Sequence, residues 1–240
     1  AQNNFDLTGV RVVHEPDSEM AIEIAVRMVR SNQADILMKG KVGTSNLLKG
    51  VLNKEWGLRS GALLSHIAIF EVEAYHKLIA VTDVAMNIAP NLKDKISIVN
   101  NSVACLNKLG IKMPKVAVLG AVEMVSENMQ ATLDAALLSK MNQRDQIRNC
   151  IIDGPLAFDN AISFESARHK GIRSDVAGDT DLLVMPDIEV GNVLYKSLVF
   201  FANAGVAAVI LGAAAPIVLT SRSDSDHAKY YSIVLAAAIS

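Results

Sequence analysis

The sequence predicts an α/β protein built on a mostly parallel sheet. Apolar runs of strand length alternate with longer segments of helical period, and no repeat or Pro/Gly/Ser-rich linker interrupts the alternation. Most strand-like runs are followed by a segment long enough to cross over and return in parallel. At 240 residues, 51% hydrophobic, 20% charged and 5% aromatic, the chain can bury a sizeable core.

In order, residues 10–14 read as a strand. Residues 17–31 read as a helix with Met20, Ile24, Met28 and Val29 on one face, and 34–38 as a strand. A loop with two glycines, Gly40 and Gly43, enters a helix over 44–53. Residues 62–71 and 77–82 are two strands joined by a short polar connection, which suggests a hairpin at the sheet edge. Helices are then expected over 93–108, 126–140, 190–203 and 224–238. The strands between them fall at 115–119, 149–152, 182–185 and 206–211.

Composition excludes several classes of function. With 23 Lys+Arg against 25 Asp+Glu the net charge is −2, so no general basic field attracts nucleic acid or an anionic membrane. Residues 1–20 lack the basic and apolar regions of a signal peptide, and the apolar stretch over 198–219 is broken by Asn203, Gly205, Gly212 and Pro216. A soluble cytoplasmic protein is expected. Cys105 and Cys150 lack metal or redox spacing and read as buried thiols. His14, His66, His76 and His169 are scattered and read as structural or surface residues, so no metal site is expected. Asp83, Asp153, Asp159, Asp179 and Asp181 suit either Mg²⁺ or the capping of turns.

Ligands of open α/β sheets collect where strands run into helix N-termini, and three junctions carry suitable residues. Residues 38–46 offer Lys39, Lys41, Thr44, Ser45 and two glycines at a positive helix end. That set suits phosphate, although Thr44 is equally suited to capping the helix, and the Walker order is absent. Residues 216–226 end an apolar run in hydroxyls and Arg222. The planar guanidinium there matches phosphate and Ser221 adds an O–H, while Ser223 or Asp224 suits an N-cap. Ser221, Asp224 and His227 crowd one helix turn without a G-x-S-x-G elbow, so a hydrolase triad is set aside. Following Asp187 and Gly191, Asn192, Tyr195 and Lys196 share one helix face at i, i+3 and i+4.

Gly40 with Thr44-Ser45-Asn46-Leu47-Leu48-Lys49, and the run from Val81 through Thr82-Asp83 to Pro90, resemble the phosphate acetyl/butyryltransferase family, most closely its butyryl branch. Further matches follow in order: Asp153-Gly154-Pro155 onward to Ala161, Val176-Ala177-Gly178-Asp179, Pro186-Asp187 with Gly191-Asn192 and Tyr195-Lys196, and Pro216 to Asp226.

The resemblance implies transfer of a short-chain acyl group between coenzyme A and inorganic phosphate, both of them substrates, with no further cofactor and no metal. It also implies a two-lobed fold similar to isocitrate and isopropylmalate dehydrogenases, in a homodimer or larger homo-oligomer. The first lobe would be residues 1–60 with 211–240, lacking its N-terminal start, and the second 61–210. The family's Ser-Arg pair falls on Ser221 and Arg222, which become the first catalytic candidates. Gly40, Thr44, Ser45, Lys49, Asn192, Tyr195 and Lys196 are implied to bind phosphate and acyl-CoA. Two departures stand out: Lys49 where an acetyltransferase has Arg, and Ala228 where the family has an acid. Asp224 and Asp226 are therefore alternative bases. Acetyl transfer is the alternative within the family, and a non-catalytic CoA- or phosphate-binding protein is the alternative outside catalysis. A decarboxylating dehydrogenase of similar fold lacks support, for no GxGxxG or clustered acid triad is present.

Overall fold

Strand and helix alternate along the chain because runs of Val, Ile and Ala fit a buried pleated surface, while the segments between them carry apolar residues at helical spacing. The computed structural model describes residues 8–220 and 224–240. Its elements are α1 (Ser18–Arg30), β1 (Leu37–Met38), α2 (Thr44–Val51), β2 (Ser65–Glu71), β3 (Ile79–Thr82), α3 (Leu92–Lys108), β4 (Lys115–Leu119), α4 (Gln130–Gln143), β5 (Ile151–Leu156), α5 (Phe158–Ile162), α6 (Phe164–His169), β6 (Leu182–Val184), α7 (Ile188–Phe200), β7 (Gly205–Leu211), β8 (Ile217–Val218) and α8 (Asp226–Ile239).

The strands form one sheet in the order β1-β8-β7-β2-β3-β6-β4-β5. Four of its pairings among the described residues are parallel and three antiparallel, so it is mixed and mostly parallel. Successive strand side chains point to opposite faces, and the core divides accordingly. Ile67, Ile69, Val116 and Val118 pack with Val99 and Val103 of α3, Leu138 of α4 and Leu235 of α8. Their neighbours Ala68, Phe70, Ala117 and Leu119 pack with Ala161, Ala167 and the α7 residues Leu194, Tyr195 and Leu198. This is the expected αβα layering. A third cluster joins α1 and α2 to β1 and β8.

The sheet has a weak joint. β7 and β8 pair through the single couple Ile210 and Ile217, whereas β7 and β2 pair along seven residues. The remaining edge of β7 is covered by α8, where the Ala208 N–H donates to Ser232 Oγ at 3.0 Å. A strand edge left unpaired and uncovered would expose its amides to other chains.

Four expectations need correction. Residues 10–14 are not a strand: Val10, Val12 and Val13 are exposed, and no described strand pairs with them. The buried stripe of α1 is Ile22, Val26 and Val29, with Met20 exposed, because Ile22 fills the space over Gly50 of α2 where a Cβ would intrude. The β2–β3 hairpin lies mid-sheet and not at the edge, because β7 and β6 flank it. The strand expected over 34–38 reduces to Leu37–Met38.

Candidate active site

Where β8 parts from β7, a cleft of about 970 Å³ opens between α7, α8 and the start of α2. That is the upper end of the usual size for a small-molecule site. All three junctions singled out in the sequence contribute to its lining. The first supplies Lys39, Gly43 and Thr44, the second Leu219, Thr220, Asp224 and Ser225, and the third Asn192, Tyr195 and Lys196.

On the first wall, the chain leaves β1 at Lys39 and enters α2 through Gly43, its N-cap. Glycine has no side chain to cap with, and Thr44 is the first helical residue and not the cap, so the first-turn amides receive no side-chain cap hydrogen bond. Uncapped amides at a positive helix end favour an anion. Gly40, Ser45 and Lys49 are exposed and do not line the cleft.

At the second wall, the cap of α8 is Ser225, whose Oγ accepts from the Ala228 N–H at 3.1 Å. The cap expected at Ser223 or Asp224 is thereby moved one or two residues on, and the two alternative bases are separated. Asp224 lines the cleft; Asp226 is fully exposed, 3.3 Å from the Lys229 ammonium, and outside the lining. Ser221 and Arg222 lie outside the described residues, and the described residues flanking them, Thr220 and Asp224, both line the cleft.

The third wall depends on a close approach. Asp187 caps α7, accepting from the Val190 N–H at 2.9 Å. One turn on, a Cβ at position 191 would overlap the Asp83 carbonyl oxygen, so Gly191 lets α7 sit against the end of β3. Asn192 donates to the Val84 carbonyl at 3.3 Å. Tyr195 reaches over the sheet, edge-on to Phe70 at 5.4 Å and to His66 at 6.4 Å between ring centroids. Burial above all, then the charge of Asp224, pushes the Tyr195 phenol up to about 12, so it remains an O–H donor.

The floor holds the residue that sequence reasoning missed. His66 is the second residue of β2, on the α7 side, is only 6% exposed and lines the cleft. Its Nδ1 has no hydrogen-bond partner among the described residues. Burial is the dominant influence on the ring and lowers its pKa, against the pull of Asp83 and Asp224, so the imidazole is neutral at neutral pH. The signal in the sequence is weak: His66, beside Ser65, interrupts a largely apolar strand run. Asp83 takes the structural alternative, accepting from Ala85 N and Met86 N, each at 2.9 Å, and from Asn87 Nδ2 at 2.6 Å. Among the described residues no group of three His, Cys, Asp or Glu side chains converges as metal ligands, and no helix is long and apolar enough to cross a membrane.

A cleft of this size, lined by apolar side chains and a few convergent polar ones at the joint of a mixed α/β sheet, is the kind of site at which such proteins bind small molecules. The chain belongs to the phosphate acetyl/butaryl transferase family, whose model matches residues 8–237. It is 48% identical over 235 residues to a phosphate butyryltransferase of Clostridium acetobutylicum, covering 98% of this chain and 78% of that protein. To a phosphate acetyltransferase of Thermotoga maritima it is 47% identical over 219 residues, covering 91% and 74%. A crystal structure of a branched-chain phosphotransacylase from Enterococcus faecalis superposes with a TM-score of 0.91 at 38% identity, covering all of this chain and 86% of that one.

Proposed function

We infer that the chain transfers a short-chain acyl group between coenzyme A and inorganic phosphate, butyryl-CoA and phosphate giving butyryl phosphate and free CoA. The observation that carries this reading is that three separate junctions open on one cleft, in a chain belonging to a family named for this chemistry. On this reading Lys39, the uncapped start of α2 around Thr44, and the Ser221-Arg222 pair hold phosphate. A phosphate oxygen attacks the thioester carbonyl presented along Asn192, Tyr195 and Lys196. The oxyanion that forms draws on the Lys196 ammonium and the Tyr195 O–H, and the C–S bond then breaks.

Transfer is direct. Cys105 and Cys150 are buried outside the cleft lining, and burial pushes their thiols up to about 12 and about 11, which leaves little thiolate to become acylated. A division of the chain into residues 1–60 with 211–240 and residues 61–210 remains part of the proposal; the single-couple joint of β7 and β8 favours it, whereas α8 packs on β7 across it. Homo-oligomeric assembly and a cytoplasmic setting, without a resident cofactor, complete the proposal. Acetyl transfer is the second reading, favoured by nearly equal identity to the acetyltransferase relative.

The test is release of free CoA thiol from butyryl-CoA, with acetyl-CoA and a phosphate-free mixture in parallel. Phosphate-dependent release, faster with butyryl-CoA, is expected. Release that is faster with acetyl-CoA favours the second reading, and none with either ester rejects both.

A further inference from the structure

On the reading just given, the reaction moves a proton, for which the sequence offers Asp224 and Asp226 as alternative carriers. Hydrogen phosphate dianion and an acyl thioester give an acyl phosphate dianion and a neutral thiol. The C–O bond forms, the C–S bond breaks, and the proton on the attacking phosphate must reach the departing sulfur. Sequence comparison pointed to a carboxylate for this task, and Ala228 stands where the family has one.

We propose that His66 is a catalytic residue, taking the proton from phosphate as the C–O bond forms and giving it to the CoA sulfur as the C–S bond breaks. In the reverse direction it takes the proton from the thiol. The geometry has four parts. His66 lines the cleft on the side chain row that faces α7, and Tyr195 lies edge-on to it. Its Nδ1 is buried without a partner among the described residues, so no side-chain hydrogen bond fixes the ring, and such an unsatisfied buried atom is costly enough in a folded protein to call for a functional explanation. Asp224 faces it from the segment before α8, and Asp83 lies beside it at the end of β3. The charges of both favour the imidazolium that exists between the two proton transfers. A neutral ring is the form a base needs, and the ring regains neutrality at the end of each turnover.

The groups that face His66 are Asp83 just after β3, Asp224 from the loop before α8, and Tyr195 from α7. Lys196 on α7 and His227 on α8 share the cleft, while its β7 neighbour Ile210 carries no charge. The test is phosphorolysis of butyryl-CoA by the wild-type protein and by His66→Asn, His66→Gln and His66→Ala. Turnover should fall about 100-fold, the low end of general acid–base contributions, with the KM for butyryl-CoA changed far less. In the reverse direction, from butyryl phosphate and CoA, where hydrogen phosphate is not a substrate and its own protonation cannot shape the profile, the fall in wild-type turnover at acidic pH should vanish in the variants and persist in His227→Asn. Added imidazole should restore part of the turnover of His66→Ala, which a purely structural role would not allow.

Variants that turn over at the wild-type rate, or that keep the acidic limb, overturn the proposal while the acyltransferase reading stands. An inert wild type overturns both. Where the variants do not fold, the wild type alone decides: the ¹⁵N signals of the His66 ring should move when CoA and phosphate are added together, and unmoved signals overturn the proposal.

Discussion

Arg222 suits phosphate by its chemistry, because a guanidinium offers two parallel hydrogen bonds and a fixed charge, and the family resemblance makes it, with Ser221, the first catalytic candidate. Arg222→Ala should lower turnover about 100-fold, on the scale of removing one transition-state charge partner, with an unchanged circular dichroism spectrum. Wild-type kinetics at saturating phosphate would remove Arg222 from the reaction. Thr44, Asn192, Tyr195 and Lys196 were also legible, because helix spacing alone places the last three on one face. Two kinds of residue were not. Asp224 and Asp226 are chemically alike and two apart, and only the cap at Ser225 turns one into the cleft and the other into solvent. His66 was hidden because a histidine in an apolar run has the same sequence context whether its ring meets core or cavity.

At the scale of elements, the cleft depends on how closely α7 approaches β3, and Gly191 sets that distance. Gly191→Ala should cost about 1–3 kcal/mol of stability, as overpacking generally does, measured as a lower denaturant midpoint. It should also slow turnover, because Asn192 and Tyr195 move with the helix. Unaltered stability would mean that α7 shifts without cost. Element types and most boundaries were legible: β4 (Lys115–Leu119) has the bounds expected from its apolar run 116–119 and the lysine before it. The short elements were not, since α5 and α6 have five and six residues and β8 two, too few to show a period. In α1 two apolar stripes compete, and the space above Gly50 decides that Ile22, Val26 and Val29 turn inward.

Over the whole molecule, a cluster away from the cleft ties distant segments together. The Asp179 carboxylate meets His76 Nε2 at 2.8 Å, Lys77 Nζ at 2.9 Å and Lys115 Nζ at 2.6 Å, joining the β2–β3 connection to the start of β4. Burial alone would raise its pKa, but the hydrogen bonds from Lys115, Lys77 and His76 outweigh it and hold the group well below the usual carboxylate range. The unfolded chain takes up this proton near the ordinary value of about 4, whereas the folded one resists it. Stability from this group is therefore full above that pH and is lost as pH falls below it, down through the depressed pKa of the folded group. Thermal melting should drop more steeply between neutral pH and pH about 3 in the wild type than in Asp179→Asn; parallel curves would deny the cluster that role. By itself the sequence determined the α/β class, nearly all the long elements, the family resemblance and the three junctions, because periodicity, capping chemistry and motif spacing act within short stretches of chain. Only the tertiary structure decided that β2 and β3 lie mid-sheet, that β7 and β8 part after one couple to open a cleft, and that His66 forms its floor. Those outcomes depend on pairings between residues far apart in sequence, which no local pattern encodes.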